Sequence, residues 1–373
     1  MISYKMNKFT IFFIVCLFSY FLFGKAGFVQ NTLNEIDSCE GKIKLSLVKI
    51  WGDDNVNDEQ QFFRMPTNIK IGKNNFVYIL DSGNNRIQVF DRQGNYKRTI
   101  GRRGQGPGDL INPGSITIDN HNNLLVADSG NHRIQSFDSE GNCLYSFKTI
   151  NGKPSVIDIT NENEIALYSH EESFKSHMLI SIYNLNGKLT KRIGKIHNNA
   201  KLPTNLESIY FTFDKKHNIF ISYYATPYYQ KYSCDGKLLM TVKYKMPFKA
   251  PIVSFDNSTK KLSIKGEQKD KVCLGISVDR QGRVYLVVTT RHVKKREKFF
   301  LVGNQRFPRN IESDNTDMYR LLVFNHSGKV IASKKLTVFC DNVYVYKNHL
   351  FIIDTYMGMK IYEYSLSFNR SKI

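Results

Sequence analysis

The sequence predicts an all-β chain, a six-bladed β-propeller of four-stranded antiparallel blades closed by an N-terminal strand, on three observations. First, residues 81–95 (DSGNNRIQVFDRQGN) and 128–142 (DSGNHRIQSFDSEGN) agree at 11 of 15 positions at an offset of 47, a period in the range of propeller blades. The match extends upstream, pairing Pro66 with Pro113, Ile69 with Ile116 and Ile79 with Val126. Second, each repeat holds four short runs rich in β-branched and aromatic residues, separated by turns that carry Gly, Asn and Asp. Third, no stretch of helical period competes with the strands, and 21 Tyr and 26 Phe suit sheets.

Taken in order, blade one has runs at 67–71, 76–80, 86–90 and 96–100, and blade two spans 113–150. Weaker copies follow at 156–193 and 208–242. Blade five starts at Val272 and resumes at Tyr319 after an insertion at 291–318. Blade six has only three runs, 342–346, 350–354 and 360–364. The strand it lacks is assigned to 42–51 (KIKLSLVKIW), which seals the ring and removes an open sheet edge. The propeller thus spans 42–368, with 27–41 as a leader and 369–373 as a tail.

Lys5 and Lys8 precede a charge-free apolar run at 11–23, and Gly24 and Ala26 offer small residues at the −3 and −1 positions of a cut after Ala26. This is the pattern of a signal peptide over 1–26; the run is short for a membrane span. The alternative is an uncleaved anchor, which is the one predicted route to membrane contact. Val15 before Cys16, with apolar residues continuing beyond, argues against lipidation. The expected location is therefore periplasmic, cell-surface or secreted. Losing Lys5, Lys8 and Lys25 and no acid lowers the net charge from +20 to +17. Such a charge attracts anionic surfaces and polymers, although Lys- and Asn-rich composition also follows genome bias. The remaining cysteines, Cys39, Cys143, Cys234, Cys273 and Cys340, are odd in number and form no CxxC, so they read as buried free thiols.

The segments DSGNNRIQVFD and DSGNHRIQSFD, with their upstream Pro and I-x-I pair, resemble NHL repeats, strongly in blades one and two and fading through blades three to six. Residues 101–109, GRRGQGPGD, resemble the linker of exported bacterial six-bladed NHL-type propellers. The resemblance covers most of 43–366. Members of that family include RNA-binding domains, protein-interaction and sensor domains, and a zinc-dependent amidating lyase, so it implies architecture more firmly than activity.

With the innermost strand first in each blade, the loops between strands two and three and those between blades open on one face. There the sequence places Arg102, Arg103, Tyr223, Tyr224, Tyr228, Tyr229, Arg291, Lys294, Lys295 and Tyr356. Tyrosines give flat apolar area with a hydrogen-bonding tip, and arginines suit carboxylates and phosphates. The expectation is a binding module, without a cofactor, for an anionic ligand, peptide, glycan, protein partner or cell-envelope polymer. The plainer alternative packs the tyrosines between loops and leaves the basic insertion solvated. His170 and His177, with Glu171 and Glu172, form the one local cluster of metal-ligand types, although a spacing of seven fits neither HExxH nor a finger. Zinc or calcium there would make the chain a metal-dependent lyase or hydrolase resembling the amidating-lyase propellers, the second reading. Single-stranded nucleic-acid binding ranks third, since export separates the chain from most cellular nucleic acid.

Asp81, Asp128, Arg86 and Arg133 recur with the repeat and read as architecture, because Asp and Asn in such turns bond nearby backbone. GRRGQGPGDL lacks a GK[ST] ending and reads as a linker. No GxSxG occurs, so no serine-hydrolase elbow is predicted.

Overall fold

The computed structural model describes residues 30–34, 39, 42–52, 62–150, 152–195, 209–224, 226–247, 252–256, 261–265, 272–291, 299–302, 305–308 and 316–369. The expected signal at 1–26 lies outside them, as do Lys294 and Lys295.

Two strands, β1 (Gln30–Asn34) and β2 (Ile43–Trp51), precede the first blade. Blade one is β3 (Pro66–Ile71), β4 (Val77–Asp81), β5 (Arg86–Phe90) and β6 (Tyr96–Ile100); blade two is β7 (Ser115–Ile118), β8 (Leu124–Asp128), β9 (Arg133–Phe137) and β10 (Cys143–Lys148). Blade three is β11 (Val156–Ile159), β12 (Ile165–Tyr168), β13 (Met178–Tyr183) and β14 (Leu189–Lys195), with a helix α1 (His170–Ser176) between its second and third strands. Blade four is β15 (Ile209–Phe213), β16 (Ile219–Tyr223), β17 (Tyr228–Tyr232) and β18 (Leu238–Tyr244). A hairpin, β19 (Ile252–Asp256) and β20 (Lys261–Lys265), follows it. Blade five is β21 (Cys273–Val278), β22 (Val284–Thr289), β25 (Tyr319–Phe324) and β26 (Val330–Leu336), and its insertion carries a second hairpin, β23 (Phe299–Val302) and β24 (Gln305–Pro308). Blade six is β27 (Asn342–Tyr346), β28 (His349–Asp354) and β29 (Lys360–Phe368), completed by β2, which runs antiparallel to β29 with Ile43 opposite Phe368 and Trp51 opposite Ile361.

The six four-stranded blades and the closing N-terminal strand are as expected. The leader is not mere leader: β1 lies within 27–41 and adds a fifth, parallel strand to blade four, with Gln30 opposite Met240. The hairpin at 252–265 and helix α1 also escaped the strand-by-strand reading. Among the described residues, no helix is long and apolar enough to cross a membrane.

The core is divided into six wedges, one at each junction of neighbouring blades. Tyr78, Leu80 and Val89 of blade one meet Ile116, Val126 and Phe137 of blade two. Phe90 of blade one packs with Trp51, Phe351 and Ile361 at the closing junction. Because each second strand is covered on both faces, β4, β8, β16 and β28 bury almost every residue, as sheets covered on both sides must. Outer strands such as β10 alternate with solvent instead.

The repeated DSGN turn is the fastener. Asp81 Oδ1 accepts the Arg64 backbone N–H at 2.7 Å, and Oδ2 accepts from Asn84 at 2.8 Å and Arg86 Nε at 2.9 Å. Asp128 repeats this with Ile111 N–H at 2.8 Å, Asn131 at 2.8 Å and Arg133 Nε at 2.8 Å. The glycine is obligatory because the incoming chain crosses directly over it: a Cβ on Gly130 would lie 2.6 Å from the Ile111 carbonyl oxygen. The turn therefore ties each blade to the linker that enters it, as its periodicity implied. In blade three a buried glutamate, Glu172, stands in the corresponding segment, but its partners lie within the blade and not on the incoming linker. It accepts from Ser181 at 2.7 Å, Tyr183 at 3.1 Å and Arg192 at 3.2 Å.

Removing one such hub leaves Arg133 Nε, the Asn131 amide and the Ile111 N–H without their acceptor. Asp128→Ala should therefore destabilise the chain by about 3–5 kcal/mol, read as a lowered urea midpoint at unchanged slope. A midpoint equal to that of the unaltered chain would show the hub to be dispensable.

Candidate functional site

Inner strands alternate between the wedges and the central channel, and their register stacks the channel-facing residues in levels. At the level nearest the loop face stand Asn68, Ser115, Val156, Tyr210 and Asn342, with Gly275 from blade five. Two residues further along each strand come Lys70, Thr117, Asp158, Thr212, Ser277 and Tyr344. All of the first level except Gly275 forms the floor of a cup of about 260 Å³ at the channel mouth. Its walls are Thr67, Ser155, Tyr168, His170, Asp341, Thr355 and Tyr356.

The cup is held by bonds that cross blades. Asn68 Nδ2 donates to Ser115 Oγ at 3.2 Å, Asn342 Nδ2 donates to the Thr67 carbonyl at 3.4 Å, and Thr355 Oγ1 donates to the Pro66 carbonyl at 2.7 Å. The Tyr210 hydroxyl donates to the Asp341 carbonyl at 3.3 Å. Asp341 Oδ2 accepts the Thr355 backbone N–H at 3.1 Å.

Behind this wall sits Asp354, the blade-six counterpart of Asp81 and Asp128. It accepts backbone N–H groups of Met357 at 2.9 Å and Gly358 at 2.8 Å. Its register partner is Lys360, where blades one and two have Arg86 and Arg133. Burial, and then the neighbouring Asp341 carboxylate, push the Asp354 carboxyl up to about 7.

The predicted site residues scatter. Tyr356 and His170 line the cup. Tyr223, Tyr228 and Tyr229 do not form a surface: they end β16 and begin β17, strands covered on both faces. Tyr223 and Tyr228 are only 8% exposed and pack with ring centroids 5.0 Å apart, while Tyr229 is fully buried, 5.2 Å from the Phe324 ring. The loop between these strands is too short to carry them outward. Tyr224 lies in that loop, and its carbonyl accepts the N–H of Val272 and Cys273. Arg102 is exposed beside Asp109, with Nε 2.9 Å from Oδ1. Arg103 is an exposed linker residue, and Arg291 Nε lies 2.7 Å from Asp317 Oδ1. None of these arginines reaches the cup, and Lys294 and Lys295 lie outside the described residues.

The histidine pair does not converge. His170 begins α1 and His177 caps its far end with φ 56°, so the helix rise sets them about 10 Å apart along its axis. Among the described residues, no three His, Cys, Asp or Glu side chains come together as a metal site would need. The described cysteines, Cys39, Cys143, Cys234, Cys273 and Cys340, are free thiols.

Asn68, Ser115, Tyr210, Asn342, Asp341 and Thr355 went unrecognised in the sequence. For Asn68, Ser115, Tyr210 and Asn342 the signal was present as residues with polar groups at alternate positions of innermost strands such as TNIKI, SITI, IYFTF and NVYVY.

Residues 58–273, more than half of the chain, match the model of the DUF5128 family, described as a 6-bladed beta-propeller. Among curated proteins none matches the chain in sequence. Solved structures of similar fold include a Bacteroides fragilis protein described as exported, at 10% identity and TM-score 0.59, covering 92% of this chain and 100% of that one. A DUF4221 member from Bacteroides vulgatus aligns at 12% identity and TM-score 0.59 over 88% and 99% of the two chains. A gluconolactonase from Xanthomonas campestris aligns at 12% identity and TM-score 0.51 over 82% and 87%. At these identities the likeness is one of fold.

The raised Asp354 carboxyl has a measurable consequence. It holds a proton in the native state that the unfolded chain, with an ordinary value near 3.8, has released. Native chains thus bind more protons between pH 3.8 and about 7, and stability falls as pH rises through that window. Thermal melts across the window should show this fall in the unaltered protein and a flatter profile in Asp354→Asn. Parallel profiles would contradict the assignment.

Proposed function

The chain belongs to the DUF5128 family of six-bladed β-propellers, and we propose that it is an exported binding module that takes a small hydroxyl-rich ligand, of the kind a glycan end presents, in the cup at its channel mouth. The lining carries this reading. Amides of Asn68 and Asn342 and hydroxyls of Ser115, Ser155 and Thr355 supply donors and acceptors in nearly equal measure, as a ring of hydroxyls requires. Tyr210 and Tyr356 add flat apolar surface with polar tips. A volume of about 260 Å³ is just below the ~300–1,000 Å³ of drug-sized sites, so it suits one ring rather than an extended chain.

The net charge of +20 supports a second part of the reading: the basic exterior gathers the protein on anionic envelope polymers, in a salt-sensitive way, while the cup reads a local group. An anionic ligand clamped by arginines draws less support, because Arg102 and Arg291 already face Asp109 and Asp317. The metal-dependent lyase or hydrolase draws none from His170 and His177, whose side chains leave opposite ends of α1. The DSGN hubs of blades one and two favour kinship with NHL-repeat propellers. Export is supported by the amino-terminal pattern of residues 1–26.

Calorimetric titration with a panel of neutral mono- and disaccharides tests the site. Asn68→Ala and Tyr356→Ala should each weaken the best binder about tenfold, or about 1.4 kcal/mol, with Arg102→Ala unchanged. Loss of affinity in Arg102→Ala alone would move the site off the mouth.

A further inference from the structure

One level beneath the cup floor lies an ion pair that closing the ring does not require. Lys70 Nζ, from blade one, is 3.3 Å from Asp158 Oδ1 of blade three. Thr117 of blade two donates to the same oxygen at 2.9 Å, and Thr212 of blade four donates to Oδ2 at 3.4 Å. The ammonium also lies over the Tyr344 ring, 5.2 Å from its centroid. Of the six residues at this level, only Lys70 and Asp158 are charged.

The pair is close enough to be felt in the cup. It borders a smaller cavity of about 50 Å³ that shares Asn68, Ser115, Val156 and Tyr210 with the cup. Two residues along a strand span about 7 Å, and within a channel walled by protein an uncompensated charge acts over that distance. Paired, the two charges cancel; separated, either would dominate the floor. The carboxylate of Asp341 at the rim, which accepts the Thr355 N–H, is present in every variant and repels acids in each alike.

We propose that Asp158 sets the charge selectivity of the cup: by cancelling Lys70 it makes the channel mouth accept neutral ligands and reject acidic sugars, whose carboxylate would otherwise find an ammonium beneath it. This rests on the sugar-binding reading for the identity of the natural ligand, but the charge rule itself is open to direct test with simple probes.

The probes are glucuronate and glucosamine, titrated calorimetrically into the full chain and into Asp158→Asn, Lys70→Met and the double variant. Asp158→Asn should bind glucuronate at least tenfold more tightly than the unaltered protein, and the gain should fade in high salt. Lys70→Met, which leaves the carboxylate alone, should show the reciprocal gain for glucosamine. The double variant should show neither. If Asp158→Asn fails to fold, by its melting curve, Lys70→Met carries the test. Unaltered protein binding glucuronate as tightly as Asp158→Asn, or single variants without either gain, overturns the proposal. Charge-swap gains without any neutral-sugar binding would sink the ligand class and keep the selectivity rule; neutral-sugar binding without the gains would do the reverse.

Discussion

Everything in this molecule depends on closing a circle. A propeller core is six separate wedges, and each wedge needs a blade on both sides. The pairing of β2 with β29 supplies the last side, and Trp51 drives into the closing wedge while its indole Nε1 donates to Glu363 at 3.1 Å. Glu363 also pairs with Arg92 of blade one, and His349 Nδ1 lies 2.8 Å from the same carboxylate. Closure is thus both apolar and ionic, and it joins three parts of the chain at one buried carboxylate. An open ring would bare two wedge faces and a sheet edge together.

The repeat shows how a fold tolerates decay of its own motif. Blades one and two keep the aspartate, glycine and arginine that fasten the incoming linker. Blade three replaces them with a helix and a buried glutamate that still meets an arginine, Arg192. Blade six keeps Asp354 but sets Lys360 at the arginine's register position, and its carboxyl climbs towards neutrality. What persists is not the letters but a buried carboxylate at or just after the second strand, with its oxygens satisfied by hydrogen bonds.

The fold was legible because a 47-residue echo and turn chemistry are local signals. The closing strand was legible because blade six was one strand short. The site was only partly legible. Tyr356 and His170 line the cup, whereas Tyr223, Tyr228 and Tyr229, read from sequence as loop residues, are buried strand residues. Aromatic residues beside a turn look alike in sequence whether they face solvent or a neighbouring blade, since the neighbour comes from elsewhere in the chain. The cup residues escaped for the opposite reason. Four of the six inner strands contribute a single modest polar residue to the floor, and only the ring brings Asn68, Ser115 and Asn342 together. The strand β1 escaped because parallel pairing with β18 has no turn to announce it.

That N-terminal strand and its neighbour have a bearing on how the protein is assembled in time. Residue 43 meets residue 368, so β2 waits for β29, and β1 waits only for β18. Contacts so distant along the chain make folding slow, and the ring cannot close before β29 has been made. Until then, blade six is a three-stranded sheet with a bare edge, and β2 is a strand without a sheet. The interval before closure is when the nascent chain is most exposed to pairing with another copy of itself.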